Sequence, residues 1–146
     1  MQLVVNNELP QLGANLHALQ ARLNGDLTPL MDAIGFLLEN STRERFETKR
    51  DSEGVSWEQL KPATIERKRN AKGNLRGGIL VDRGDLRKSI TYFASTQSVT
   101  VGTDRPYGQY HQSGTKHMPA RRFLGLSEAD KTEINDFIRH FLEDVL

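Results

Sequence analysis

The strongest hydrophobic pattern in the chain lies at its C-terminal end. Apolar residues recur there at steps of three and four, the spacing of a single helix face. These residues are Ile134, Phe137, Ile138, Phe141, Leu142 and Val145. Ser127 and Asp130 precede the stripe with the spacing of a capping box in which Asp takes the place of the usual Glu. The pattern predicts a final amphipathic helix that begins just after Ser127.

Two more helical stripes occupy the N-terminal third of the chain. Leucines at steps of three and four predict a helix over about Glu8–Leu23. A second helix is predicted to begin at Asp26 or Thr28 and to run to about Lys49. Its apolar face is expected to consist of Leu27, Leu30, Ile34, Leu37 and Leu38. The second half of this helix keeps only Phe46 as a large apolar residue, so we expect its polar end to project from the core or to meet a partner.

Shorter elements are predicted between these helices. Alternation of apolar and polar residues favours strands over Ser89–Ala94 and Ser98–Gly102, and the polar link between them suits a hairpin. Asp104–Gln112 is predicted as a short helix that Gly114 closes. Phe123–Leu126 is predicted as another short strand. Together these elements indicate an α+β fold with N-terminal helices, a small, mainly antiparallel sheet, and the C-terminal amphipathic helix packed on that sheet.

The length of the chain suits a single domain over residues 1–146. Residues 1–50 form its helical part, and residues 84–146 hold the hairpin and the C-terminal helix. Residues 51–83 are predicted as a loop-rich basic segment with one short helix near Thr64–Ala71. A connection of this length inside a compact domain is often functional or disordered.

Composition narrows the classes of protein. Hydrophobic residues make up 36% and charged residues 27% of the chain, as in an ordinary globular protein. The absence of cysteine excludes disulfides, thiolate metal sites and thiol catalysis. The longest apolar cluster, Ile34–Leu38, is far shorter than a membrane span, and the first segment, MQLVVNNELP, lacks the pattern of an export signal. We therefore expect a cytoplasmic location and no membrane contact.

The net charge of +1 hides an uneven distribution. Residues 1–60 carry 5 basic and 9 acidic groups, residues 61–122 carry 13 and 4, and residues 123–146 carry 2 and 6, which gives −4, +9 and −4. A basic middle between acidic ends suits nucleic acid. It equally suits head-to-tail packing of identical subunits, in which patches of opposite charge meet.

The basic middle contains a dense run of cations centred on Arg67, Lys68, Arg69 and Lys72. Proteins that bind nucleic acid often add stacking aromatics or a recognition motif, and this run has neither. A solvated surface is therefore the preferred interpretation. Contact between these four residues and DNA stays as the alternative, because attraction to phosphate needs no base readout.

Enzymatic and metal-binding patterns are weak. His111 and His117 are six residues apart without cysteine or nearby carboxylates, which is poor spacing for zinc. Ser113 lies beside them, but no Gly-x-Ser-x-Gly motif surrounds it. The glycines of residues 73–78 lack the strand, helix and Gly-Lys-Ser/Thr ending of a phosphate loop. We expect no catalytic residue, metal, cofactor or small-molecule substrate, and a small hydrolase using His111 is a distant alternative.

Several aromatic and basic residues are candidates for contact with another subunit or partner. Trp57 is the only tryptophan, and a role as an anchor for its loop is preferred over a role as a binding hot spot. Tyr107 and Tyr110 are three residues apart and can share a helix face. Either Arg121 or Arg122 could clamp a carboxylate of a neighbouring subunit. The full candidate set is Trp57, Tyr107, Tyr110, His111, His117, Arg121 and Arg122.

The most specific motif in the chain is Met118–Ser127, Met-Pro-Ala-Arg-Arg-Phe-Leu-Gly-Leu-Ser. It follows a Tyr-x-x-x-His-Gln-x-Gly element formed by Tyr107, His111, Gln112 and Gly114. Shorter upstream matches are Gly54, Trp57, Leu60, Thr64 and Lys68, and then Asp82, Gly84, Leu86, Ser89 and Ile90. These residues resemble the pattern of the phage virion morphogenesis family, the tail-completion proteins of Mu-like phages and prophages. The chain departs from that pattern at Arg83, Ser113 and Arg122.

The resemblance implies a non-enzymatic assembly protein that acts in tail completion and head–tail joining of a contractile-tailed phage or prophage. Such a protein would work by contact, as a homo-oligomeric ring that caps or adapts the end of a tube. The implied partners are the tail tube, the sheath or the head connector, met in the cytoplasm of the bacterial host. A basic nucleic-acid-binding module is the alternative function.

Overall fold

A computed structural model describes residues 2–6, 21, 24–69, 73, 77–80 and 84–144. In chain order its elements are β1 (Gln2–Asn6), α1 (Thr28–Thr48), α2 (Pro62–Lys68), α3 (Asp85–Ser89), β2 (Thr91–Ala94), β3 (Ser98–Gly102), α4 (Gly108–Ser113) and α5 (Glu128–Asp144). The predicted α+β class is confirmed. Apart from position 21, the helix predicted over Glu8–Leu23 lies outside the described residues, as does Lys72. Within the described ranges, no helix is long and apolar enough to cross a membrane.

The described strands form one antiparallel sheet in the order β1-β3-β2. The hairpin of β2 and β3 is confirmed, although Ser89 belongs to the helical turn α3 and the strand begins at Thr91. The sequence pattern does not predict β1. This strand pairs with the distant β3, so that Val5 lies opposite Val99. A short strand that leads straight into a helical stripe gives little local signal, because its stability comes from a partner far along the chain.

Helix α1 covers the inner face of the sheet. The apolar face predicted for it is confirmed, with full burial of Leu27, Leu30, Ile34 and Leu38 and partial burial of Leu37. Gly35 allows a close approach to β2, because a Cβ at this position would lie 2.2 Å from Cδ2 of Tyr92. The Tyr92 hydroxyl donates a hydrogen bond to Oδ1 of Asp32, on the same helix, at 2.9 Å.

One face of the polar second half of α1 lies in the core, so the expectation that this end projects from the core is wrong. The alternative, that it meets a partner, stays a prediction. Thr42, Arg45 and Phe46 are buried there. Nη2 of Arg45 lies 2.8 Å from Oδ2 of Asp130 on α5, and the two side chains are only 7% and 4% exposed. Arg45 can occupy this buried face because it forms an ion pair with Asp130 of the other helix.

Helix α5 packs on α1, whereas the sequence pattern placed it on the sheet. The difference arises because α1 already covers the inner face of the sheet. The predicted capping box is confirmed: the Ser127 N–H donates to Oδ2 of Asp130, and the Asp130 N–H donates to Oγ of Ser127, both at 3.0 Å. On the apolar face Ile134 and Ile138 are buried, and Phe141 is only partly buried.

The shorter predicted elements have mixed outcomes. The helix expected near Thr64–Ala71 occupies Pro62–Lys68, with proline in its first turn. The helix expected over Asp104–Gln112 begins only at Gly108, and Gly114 closes it as predicted. The prediction of a strand over Phe123–Leu126 is wrong, because these residues join no strand of the described sheet.

Candidate partner-binding site

The Met118–Ser127 segment leaves α4 through a tight turn. The N–H of Thr115 donates to the Met118 carbonyl at 2.8 Å. Gly114 has a φ of 76°, and a Cβ there would lie 2.8 Å from the backbone nitrogen of Ala120. Any residue with a side chain would be strained at this φ and would push the turn open. The chain itself therefore fixes the shape of the turn.

Gln112 fixes the middle of the segment through three hydrogen bonds. Its Oε1 accepts from the N–H groups of Phe123 and Leu124, both at 3.1 Å, and its Nε2 donates to the Leu124 carbonyl at 2.9 Å. The side-chain amide thus supplies the partners that a neighbouring strand would otherwise supply. Sequence reasoning missed this role, because a glutamine in a short helix shows no pattern that distinguishes it from a surface residue.

Replacing Gln112 by alanine is expected to lower the free energy of unfolding by about 1–3 kcal/mol. The N–H groups of Phe123 and Leu124 and the Leu124 carbonyl would lose their hydrogen-bond partner. Urea denaturation followed by circular dichroism measures the loss. Gln109→Ala is the matched control, since Gln109 is exposed on the same helix. Its replacement should change stability by less than about 0.5 kcal/mol. Equal losses in the two variants would show that the amide bonds contribute nothing to stability.

Trp57 connects the loop after α1 to the Met118–Ser127 segment. Its side chain is 4% exposed, and its ring stands edge-on to Phe46 with ring centroids 5.7 Å apart. Its Nε1 donates to the Arg122 carbonyl at 2.9 Å. The tryptophan therefore serves as an anchor between the loop and the core.

Arg121 makes a second connection between the same loop and the segment. Its guanidinium donates to the carbonyls of Glu58 and Gln59, at 2.8 Å and 3.1 Å, and the residue is buried. Burial lowers the pKa of Arg121, and Glu58 opposes this effect. An arginine so engaged holds the segment in place, whereas the neighbouring Arg122 is exposed.

A cavity of about 660 Å³ lies beside the turn, and we call it the basic cavity. It joins candidates that the sequence placed in two groups: Tyr107, His111, His117 and Arg121 from the interface set, and Arg67 and Lys68 from the DNA-facing set. The apolar part of its wall consists of Leu60, Leu80, Leu86, Met118 and Pro119. Candidates that lie outside the wall are Trp57, Arg69, Tyr110 and Arg122. The volume is in the usual range for a binding pocket.

Cations dominate the polar part of this wall. Lys61, Arg67 and Lys68 contribute positive charge, and Asp85 is the one carboxylate among the described residues that line it. The Lys68 Nζ donates to the Gly78 carbonyl at 3.1 Å, which holds α2 against the next part of the wall. The cavity therefore favours an anionic group from outside the chain.

The Arg69 side chain contacts residues that are close to it in the chain. Its Nη1 donates to the Gly73 carbonyl at 2.8 Å, and its Nε lies 3.4 Å from Oε2 of Glu66. The basic run of the sequence is thus divided in the structure, because Arg67 and Lys68 line the cavity and Arg69 does not.

His111 is half-buried in the wall of the basic cavity. Its ring stands edge-on to Tyr107, with centroids 6.1 Å apart, and its Nδ1 has no hydrogen-bond partner among the described residues. Burial, followed by the charge of Arg121, holds the pKa of His111 below its ordinary value. Ser113 is exposed on the same helix. Across the described ranges, no group of three or more His, Asp or Glu residues is placed to hold a metal ion.

The lowered pKa of His111 predicts that acid destabilises the protein. The unfolded chain binds a proton at this residue near pH 6.5, before the folded protein does, so the free energy of unfolding falls as the pH drops below about 6.5. His111→Gln should flatten this part of the profile between about pH 7.5 and pH 5.5. His117→Gln, at an exposed position, is the control. Parallel profiles for His111→Gln and the original protein would contradict the prediction.

Comparison with known proteins places the chain among phage assembly proteins. Residues 7–143 match the model of the phage virion morphogenesis family. The chain is 31% identical over 114 residues to Mu-like prophage FluMu G protein 1 of Haemophilus influenzae, with 77% of each chain covered. It is 28% identical over 130 residues to Mu-like prophage FluMu G protein 2 of the same organism, with 84% of this chain and 83% of the relative covered.

A third relative comes from a phage. The chain is 32% identical over 111 residues to the putative capsid assembly protein G of Escherichia phage Mu, with 70% of each chain covered. No solved structure matches the chain. Since the family model spans nearly all of the sequence and the relatives cover more than two thirds of it, the chain belongs to the phage virion morphogenesis family.

Proposed function

We propose that this protein completes the tail and joins it to the head during assembly of a Mu-like phage or prophage virion. It acts by contact with other assembly proteins and not by catalysis. The proposal rests on the fixed shape of the family's most specific motif, Met118–Ser127. Gln112, Trp57 and Arg121 hold this motif in a fixed shape beside the basic cavity. A preset surface loses little entropy on binding, which suits recognition of a protein partner.

The relatives support the virion-assembly part of the proposal. Two of them belong to Mu-like prophages, and the third is named as a putative capsid assembly protein. Because the name of the third relative refers to the capsid, this protein could act on the head or on the tail. We favour the tail because Met118–Ser127 resembles the motif of tail-completion proteins.

We further propose that the protein forms a ring of identical subunits on the end of the tail, with the tail tube, the sheath or the head connector as partners. The charge distribution supports a ring. Residues 61–122 carry a net +9 and residues 123–146 a net −4, so unlike patches of neighbouring copies attract each other. A head-to-tail contact of this kind closes into a ring when the rotation between subunits permits it.

Electron microscopy of lysates from a phage that lacks this gene tests the proposal. We expect DNA-filled heads and separate tails, and few joined particles. A plasmid copy of the gene should restore joined virions. A lysate with normal tails and no heads would place the protein in capsid assembly and would contradict tail completion.

A further inference from the structure

We propose that the basic cavity receives the exposed acidic face of α5 from a second copy of this chain. The inference rests on the proposed function, because it names the contact from which the ring is built. It follows from the chemistry of the cavity wall, from the charges on α5, and from the separate positions of these two surfaces in the fold.

The wall of the basic cavity suits a polypeptide better than a nucleic acid. Lys61 and Arg67 are exposed cations that can pair with carboxylates from outside. A large part of the wall is apolar, with Met118 and Pro119 from the family motif among its residues. Such a surface binds the aliphatic part of a protein side chain, whereas a phosphate backbone would leave it unused.

The exposed face of α5 carries the charge that this wall lacks. Glu133, Asp136 and Glu143 are all exposed, and their spacing places them within about a quarter turn of one another around the helix. Asp136 pairs with Arg139 on the same helix. Glu133 and Glu143 form no ion pair with the described part of the chain, so their carboxylates are available to cations of another subunit.

The basic cavity and the acidic face of α5 are two separate surfaces of each subunit. Described residues that line the cavity come from α2, α3, α4 and the segments beside them, and none comes from α5. A contact between the cavity of one copy and α5 of the next is therefore heterologous. It leaves one free cavity and one free α5 at the ends of a growing array, which is the geometry that a ring requires.

A charge-swap experiment on the purified full chain tests this contact. Arg67→Glu puts a negative charge in the cavity that receives the acidic face, and Glu133→Lys puts a positive charge on the helix that enters the basic cavity. Each should weaken self-association at least about fivefold. The double variant restores an opposite pair and should recover most of the affinity. Sedimentation velocity over a range of protein concentrations measures the association. Melting curves check that every variant is folded, as expected from the exposed positions of both residues.

Two variants control for net charge. Arg105→Glu changes an exposed cation outside the cavity, and Glu53→Lys changes an exposed carboxylate outside α5. Both should associate as the original protein does. Three results would overturn the inference: an original protein that stays monomeric, single variants that resemble their controls, or a double variant no stronger than either single one. Salt-sensitive binding of a short DNA duplex, lost in Arg67→Glu while self-association is unchanged, would assign the cavity to nucleic acid and would equally overturn it.

The outcome separates this inference from the proposed function. If the charge swap fails but lysates without the gene still contain separate heads and tails, the protein completes tails through a different contact. If the charge swap succeeds but those lysates contain normal virions, the copies associate as proposed and the assignment to tail completion is wrong.

Discussion

Asp130→Ala is expected to lower the free energy of unfolding by about 3–5 kcal/mol, because it leaves a buried cation without its partner. Arginine side chains stay protonated in proteins at any ordinary pH, so Arg45 keeps its positive charge. Burial lowers the pKa of Arg45, and the charge of Asp130 opposes that effect. The carboxylate also accepts from the Ser127 N–H, and Arg45 donates to the Phe123 carbonyl at 2.8 Å. The pair therefore joins α1, α5 and the family motif, and its loss should loosen all three.

Asp136→Ala is the matched control for this prediction. Asp136 lies on the same helix and pairs with an arginine, but both side chains of that pair are more than half exposed. Its replacement should cost less than about 1 kcal/mol. Urea denaturation of both variants measures the difference. Replacing Arg45 and Asp130 together by apolar residues should recover much of the loss, since no unpaired charge then remains. Equal costs for the two aspartates would show that burial adds nothing to the value of the ion pair.

Phe46→Ala is expected to cost about 3–5 kcal/mol, the range for loss of a buried aromatic ring. Phe46 is fully buried between Trp57 and Phe123, with ring centroids 5.7 Å from each. Removing its ring leaves a cavity at the point where the loop anchor and the family motif meet. Besides lowering stability, the substitution should therefore increase hydrogen exchange of the backbone around Trp57 and Phe123.

Phe36→Ala on the same helix is the control for Phe46. The Phe36 side chain is 63% exposed, so its removal opens no cavity. We expect a change in stability within about 0.5 kcal/mol. Thermal unfolding of both variants under the same conditions is sufficient for the comparison. Similar melting temperatures for the two variants would show that the aromatic cluster is peripheral to the fold.

The parts of the fold that could be predicted are those with local periodic patterns. The apolar stripe of α1, the hairpin of β2 and β3, and the capping box of Ser127 are each contained in a few neighbouring residues. The parts that were missed depend on distant pairs. Strand β1 forms only against β3, and no local pattern specifies that pairing.

Buried polar residues account for the remaining errors. Arg45 and Thr42 give α1 a polar second half, which a periodicity argument assigns to the surface, although Asp130 makes this face suitable for the core. Phe123–Leu126 has the composition of a strand, but its hydrogen-bond partner is the Gln112 side chain. In both cases the satisfying group lies outside the window in which a sequence pattern can be recognised.

The sequence predicted several residues of the candidate site but not the role of each one. Tyr107, His111, His117 and Arg121 do meet in one cavity. That Arg67 and Lys68 join the same cavity could not be predicted, because the loop-rich 51–83 segment has no pattern that fixes its path. The burial of Arg121 depends on backbone carbonyls, which are invisible in a sequence.

An order-of-addition experiment tests whether this protein completes tails by contact. Heads and tails are isolated separately from a lysate that lacks the gene. Each fraction is incubated with the purified protein, freed from unbound protein, and mixed with the untreated other fraction, and joined infectious particles are counted. We expect treated tails to join untreated heads, and treated heads not to join untreated tails. Joining that depends on treatment of the heads, or no joining with either fraction, would contradict this expectation.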